Sequence, residues 1–372
     1  MSATPSDFFK TARTASEIKA ELLPRLIEVW ATGMLQQGRA GELALSFMDL
    51  QAGLDSGEPA PTAVQLLRQV YKSTGSRTDL NKGISTLFYD ADQSILDRMQ
   101  QQIKQLPFYR DLIHLPVFLA ETDDETLATQ LQENVQPDLA FLNPNAAGIA
   151  QQLLLSGAQK GKTDLMMLFD PRLLESAVRK AKVDSVWQQF FGERLEAIKA
   201  FYKQHKHAER REEYLLDCFE EVFRAEGFQT LRFRVNPPDK KQAGHYLVFS
   251  VKSAQVYIRL KELLERYGDY QEDGVPLFGA NLQQQQTALF HEHYTYSIAN
   301  LVQELTQVAA EFSNRTVQYV YERHSMGTHY TLSNYQTAYD KLMRQNVVRF
   351  INPKTGQPIS KLTPVSLIRY KK

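Results

Sequence analysis

Five short apolar runs, each closed by a polar residue and followed by a turn or a helix, constrain this chain more than any other feature. They are Leu43–Met48 before Asp49, Gly83–Tyr89 before Asp90, Leu115–Ala120 before Glu121, Pro137–Leu142 before Asn143-Pro144, and Thr163–Phe169 before Asp170-Pro171. A strand buried on both faces reads as such a run, and parallel neighbours need a crossover between them. The pattern predicts an α/β fold with a mostly parallel sheet wound on both faces. Thr230–Val235 and His245–Val251 then predict an antiparallel hairpin. The stretch between them and the fifth run, about 172–211, carries Trp187, Phe190, Phe191 and Leu195 and reads as a helical insertion.

The first run leads into a small turn, Gln51-Ala52-Gly53-Leu54-Asp55-Ser56-Gly57, and a helix from Pro61 to Tyr71. Strand, glycine turn and helix form the unit that binds a nucleotide at the carboxyl edge of a parallel sheet. A full G-x-G-x-x-G from Gly53 would need glycine where Asp55 and Glu58 stand, so the fingerprint is incomplete. Asp90, at the end of the second run, suits the ribose hydroxyls of an adenosine ligand or a helix N-cap. Thr122 and Asp123 suit an adenine amino group, but T-D-D-E before Leu127 is also a capping-box pattern, and that reading is preferred.

A length of 372 residues suggests two or three domains, or one with an appendage. The formal net charge is zero, so any surface for a polyanion must be local. The single cysteine, Cys218, excludes a disulfide framework, and its helical setting reads as packing. No apolar run approaches membrane-spanning length and the N-terminus lacks a signal-peptide core, so a cytoplasmic chain with no membrane partner is expected. His291-Glu292-His293 and His205-Lys206-His207 lack the spacing of metal ligands on one helix face, and no metal is expected.

The last block differs in charge. From Glu311 to Lys372 there are ten basic residues and three acids, a difference of plus seven. Its pattern is a short helix Thr316–Arg323, a turn at Met326–His329, a helix Thr331–Gln345, and strands Val347–Ile351 and Val365–Tyr370 around a tip at Asn352–Pro358. That is a winged-helix order. Lys341 and Arg344 share a helix face opposite Tyr335, Tyr339 and Leu342, while Arg349 and Lys354 add charge on the strand and tip. A basic winged helix can neutralise phosphates, so these four residues are the candidate nucleic-acid contacts, with protein docking as the other reading. The domains expected are 1–310 and 311–372.

Taken together, the chain resembles the three-Cys-motif partner protein family, bacterial proteins with a domain like class I S-adenosylmethionine methyltransferases and a C-terminal winged helix. The family's D-L-F-A-G-P-G is matched by Asp49-Leu50-Gln51-Ala52-Gly53-Leu54-Asp55, and its later G-S-P-L by Ser56-Gly57-Glu58-Pro59. Its acidic strand end matches Asp90, its D-P-F-G matches Asn143-Pro144-Asn145-Ala146, and its T-D matches Thr163-Asp164. The aromatic closing strand matches His245-Tyr246-Leu247-Val248-Phe249-Ser250. The resemblance implies S-adenosylmethionine as cofactor, held by Asp49, Gly53, Asp55, Gly57, Asp90, Thr122 and Asp123, and a three-cysteine-motif protein as partner.

Here Gln51, Leu54 and Asp55 replace the Phe, Pro and second Gly of the turn, and Asn143 replaces Asp. Asp55 brings a carboxylate to where the methionine part of the cofactor approaches, so weak or absent cofactor binding is expected. Asn143-Pro144 also resembles the start of the N/D-P-P-Y signature of amino-methyltransferases, which gives these two residues a catalytic reading. The aromatic of that signature is missing, and a polar residue that ends a strand explains the pair as well. The leading expectation is a methyltransferase-like partner protein, degenerate at the cofactor turn, acting with a protein and nucleic acid in a bacterial defence or mobile-element setting. The competing one is an active S-adenosylmethionine-dependent nucleic-acid methyltransferase.

Overall fold

The computed structural model describes residues 5–37, 45–55, 61–120, 138–238, 244–282 and 295–371. The chain divides into two compact units, Thr11–Leu260 and Met1–Lys10 with Lys261–Lys372.

The first unit opens with α1 (Ala15–Gln37), whose Leu22, Leu23, Leu26, Ile27 and Trp30 are buried as the helical spacing requires. The strands follow: β1 (Leu45–Asp49), β2 (Ile84–Asp90), β3 (Val117–Ala120), β4 (Leu139–Leu142) and β5 (Asp164–Phe169). Between them lie α2 (Pro61–Lys72), α3 (Leu80–Gly83), α4 (Gln93–Lys104) and α5 (Ile149–Lys160). The expected insertion is α6 (Pro171–Lys180), α7 (Val186–Phe191) and α8 (Arg194–Gln204), and α9 (Ala208–Ala225) follows. The hairpin is β6 (Gln229–Val235) and β7 (His245–Val251), and the unit ends within α10 (Ala254–Glu265), whose residues from Lys261 onward belong to the second unit.

Within this unit the strands run in the order β3-β2-β1-β4-β5-β7-β6. All neighbours are parallel up to β5, and β7 lies antiparallel to both β5 and β6. This is the strand order of the class I methyltransferase fold. Every residue of β4 and β5 is buried, because helices cover both faces. On one face Phe190, Phe191, Phe219 and Phe223 form an aromatic cluster with centroids 4.9–6.4 Å apart. This cluster is what the apolar insertion is for: it roofs β4, β5 and β7.

The second unit contains a 3-10 turn at Pro5–Lys10, β8 (Gly279–Ala280), α11 (Ile298–Gln307), α12 (Ala309–Phe312), α13 (Val317–His324) and α14 (Leu332–Arg344). Strands β9 (Val348–Ile351), β10 (Pro358–Ile359) and β11 (Leu367–Tyr370) form an antiparallel sheet in the order β10-β9-β11. α14 begins with a capping box between Thr331 and Asn334 and packs on α11, α13 and β9. The unit extends well before residue 310, where sequence composition placed a boundary. The reason is that α11 packs on α14, so Ile298, Leu301 and Leu305 belong to the same core as Tyr335 and Tyr339.

Candidate functional site

In a sheet of this order a ligand binds beyond the carboxyl ends of the parallel strands, where β1 and β4 flank the switch in direction. Asp49, Asp90, Asn143 and Asp170 all stand at that edge. Their side chains are engaged by the protein itself.

Asp49 ends β1 and is 2 % exposed. Its Oδ2 lies 2.8 Å from Lys19 Nζ of α1, with neither side chain reaching solvent. Lys19 also donates to the Gln51 carbonyl at 2.6 Å, and the Gln51 N–H donates to Asp49 Oδ1 at 3.0 Å. Lysine and aspartate thus neutralise each other under the first turn. Lys19 escaped the sequence reading, yet a signal existed: Lys19, Leu23, Leu26 and Trp30 fall at i, i+4, i+7 and i+11 on the buried stripe of α1.

The turn after β1 is a short 3-10 segment, Ala52–Asp55, rather than an open glycine loop. The Gly53 N–H donates to Asp90 Oδ2 at 2.8 Å, and the Asp92 N–H donates to Asp90 Oδ1 at 2.9 Å. Asp90 reaches back and clamps the turn. A Cβ added at Gly53 would overlap Asp90 Oδ2 and come within 2.8 Å of Asp90 Cγ and 3.1 Å of Ile95 Cδ1. Glycine is required here by that close approach. The helix-cap role open to Asp90 falls to Asp92, whose side chain accepts from Ser94 N–H at 2.8 Å.

Asn143 Oδ1 accepts the Asn145 N–H at 2.9 Å, a local turn that ends β4, and Pro144 is buried beside it. Three amide atoms at this edge are buried without a hydrogen-bond partner: both polar atoms of the Asn145 side chain and Oε1 of Gln51. Asp55 ends the 3-10 turn. Gly57, Thr122, Asp123 and the His291–His293 cluster lie outside the described residues. His205 stacks on Phe201 at 4.0 Å, and among the described residues no group of three or more His, Cys, Asp or Glu could hold a metal. Cys218 is buried, which pushes its thiol pKa up, away from reactivity. No helix among the described residues is long and apolar enough to cross a membrane.

S-Adenosylmethionine carries an ammonium and a sulfonium, and carboxylates are the natural partners of both. The described residues do not fit it: of the three carboxylates at this edge, Asp49 is paired with Lys19, Asp170 with Arg172, and Asp90 already accepts two backbone N–H groups. What the edge leaves unpaired is amide, which suits a neutral donor–acceptor edge. A cavity of about 530 Å³ lies elsewhere, lined by Ala158, Phe190, Arg194 and Glu226. It opens near the amino ends of β5 and β6, the edge opposite the candidate site.

In the second unit the four candidate cations are all exposed, but not on one surface. Lys341 and Arg344 lie on the solvent side of α14, opposite the buried Tyr335, Ala338, Tyr339 and Leu342. Arg349 alternates with the buried Val348 and Phe350, so it points away from the helices. Lys354 stands at the tip between β9 and β10. Among the described residues no cation from Arg315 to Lys371 forms an ion pair; Arg315 and Arg323 lie over the Tyr319 ring, and Arg369 and Lys371 donate to amides.

Residues 279–355 match the GMT-like wHTH domain family. The second unit carries a winged helix-turn-helix. No curated protein sequence matches the chain. Among solved structures, the chain is similar to an O-methyltransferase from Bacillus cereus in complex with SAH, at 11% identity and a TM-score of 0.31, over 61% of this chain and 90% of that one. It is also similar to the methyltransferase domain of bacterial CtHen1-C, at 10% identity and a TM-score of 0.32, over 63% of this chain and 100% of that one. The strand order, rather than these likenesses, carries the fold assignment.

Proposed function

We propose that this chain is a methyltransferase-fold protein that has given up S-adenosylmethionine and works as a nucleic-acid-binding partner of a second protein. The observation that carries the reading is the buried Lys19–Asp49 pair beneath the first turn, with Asp90 clamped on Gly53 beside it. The resemblance of the sequence to three-Cys-motif partner proteins supplies the kind of partner, a three-cysteine-motif protein, and a bacterial defence or mobile-element setting in the cytoplasm. The basic excess of residues 311–372, where no described cation is ion-paired to a described acid, supports nucleic acid as the other ligand.

Calorimetry tests the first part. Millimolar S-adenosylmethionine should give negligible heat, while adenosine, which lacks both cationic centres, is the ligand matched to the unpaired amides. Micromolar affinity for S-adenosylmethionine, lost on Asp90→Ala, would promote the active enzyme. Nucleic-acid binding is tested by salt titration on two unrelated duplexes and one RNA. Affinity should fall with a log–log slope of about −0.9 per neutralised phosphate on duplex DNA. Lys341→Ala with Arg344→Ala should weaken all duplexes alike. Equal binding by wild type and variant makes α14 a protein-docking helix instead. Co-expression with a three-cysteine-motif protein should give one complex on size exclusion, and separate elution removes the partner from the reading.

A further inference from the structure

The wing sheet presents a second cationic surface on the side of the module away from α14. Arg349 of β9 stands directly opposite Arg369 of β11 in the antiparallel register. Like charges in that position repel, and a sheet keeps them at a cost. Lys371, two residues beyond Arg369, shares the same face. Among the described residues no carboxylate pairs with these three. Arg369 Nε donates to Asn314 Oδ1 at 3.1 Å, and Lys371 Nζ donates to Asn346 Oδ1. Both asparagines occupy the left-handed backbone region, at φ 61° and 63°, where asparagine is better tolerated than most residues. An amide carbonyl orients a cation without cancelling its charge, so the face is held in place and left electropositive.

Its direction follows from the core. Val348, Phe350 and Ile368 are buried on the inner face of the sheet. On that side Tyr370 of β11 meets Tyr339 on the buried stripe of α14, hydroxyl to hydroxyl at 3.4 Å. The Tyr370 hydroxyl also donates to the Leu305 carbonyl of α11 at 2.8 Å. The inner faces of α14 and the sheet therefore look at each other. Lys341 and Arg344 face one way, and Arg349, Arg369 and Lys371 face the other. The core shared by α14 and the sheet lies between the solvent face of the helix and the outer face that carries Arg349 and Arg369.

We infer that the winged-helix unit bridges two nucleic-acid segments, one on α14 and one on the outer face of the β9–β11 sheet, the second held through its phosphates by Arg349, Arg369 and Lys371. This rests on the nucleic-acid reading above. The excess of ten basic residues over three acids in this block favours a polyanion over a single acidic side chain as the occupant.

The experiment is a stoichiometric titration of the full chain with a short duplex at low salt, read by sedimentation. Wild type should take up two duplexes per chain. Arg349→Ala with Arg369→Ala should take up one, with a salt slope on the remaining site unchanged, and should melt slightly higher because the repulsion is gone. Asn314→Gly keeps the left-handed backbone, removes the amide and should weaken the sheet site several-fold. Lys341→Ala with Arg344→Ala should also take up one duplex, through the sheet. If the sheet variant still binds two, or wild type binds one and the sheet variant binds it equally well, the bridging inference falls and the α14 reading stands. If the α14 variant matches wild type while the sheet variant loses a duplex, the α14 reading falls and the sheet site stands. A wild type that binds no duplex at low salt removes both.

Discussion

Lys19 and Asp49 form a buried ion pair beneath the first turn, and its energetics can be measured directly. Breaking a buried ion pair from one side leaves an uncompensated charge, which costs about 3–5 kcal/mol. Lys19→Met should destabilise the first unit by that order in urea unfolding followed by tryptophan fluorescence, since Trp30 and Trp187 both lie in this unit. Adding Asp49→Leu should recover most of the loss, and equal destabilisation by single and double variants would mean that the pair is not coupled. Gly53 gives a second cycle. Gly53→Ala should cost about 1–3 kcal/mol, because the new methyl must displace the Asp90 carboxylate. In an Asp90→Ala background the same change should be much milder, with only Ile95 Cδ1 at 3.1 Å to accommodate. Additive effects of the two substitutions would count against the clamp.

At the scale of elements, the helix-turn-helix is pinned from an unexpected direction. Lys261 of α10 is fully buried and donates to the Ser325 and Tyr330 carbonyls, at 3.1 and 2.7 Å, which bound the turn between α13 and α14. Burial lowers its pKa to about 7, against the opposing pull of Glu265 and Glu262. An unfolded lysine titrates near about 10.4. Between these values the unfolded chain binds the extra proton, so stability of this unit should rise with pH across the window and be lost as pH falls through about 7. Lys261→Met should abolish that dependence and cost about 1–3 kcal/mol through two carbonyls left without their donor. Amide hydrogen exchange of α13 and α14 at several pH values reads this unit, since both tryptophans lie in the other. A wild type flat in pH would refute the assignment.

Most of these elements could be read from the chain. The five apolar runs became β1 to β5 because parallel strands buried on both faces need nothing but apolar residues. The Tyr335–Leu342 stripe, the turn at Gly327 and the antiparallel wing likewise lay in periodicity and turn chemistry. The candidate site was less legible, for a physical reason. Asp49 and Asp90 are named by their position at strand ends, but their roles depend on Lys19 and Gly53, which are 30 and 37 residues away in sequence and meet them only in the fold. The split of Arg349 from Lys341 and Arg344 was likewise hidden, since charge counts carry no direction until the strand's inner face is known.

At the scale of the molecule, the extent of the second unit changes what truncation should do. Ending the chain at residue 310 removes α13, α14 and the wing, and with them the surface that covers Ile298, Leu301 and Leu305 of α11. The sheet unit should still melt cooperatively, but the truncated chain should bind an apolar dye that the full chain does not. A truncated protein without dye binding would place α11 with the sheet unit instead. The second unit also takes in Pro5–Lys10, where Phe8 and Phe9 meet Tyr267 edge-on at 6.4 and 6.2 Å and Asn281 Nδ2 donates to the Phe9 carbonyl at 2.8 Å. Its core is therefore drawn from segments on both sides of the sheet unit. On a ribosome the first of these emerges long before its partners exist. Contacts this distant in sequence pay a closure entropy that only prior compaction of the intervening chain reduces. Vectorial synthesis thus sets an order of assembly: the sheet can finish first, Phe9 waits unburied through most of translation, and the second unit closes only when the late-emerging segment reaches it.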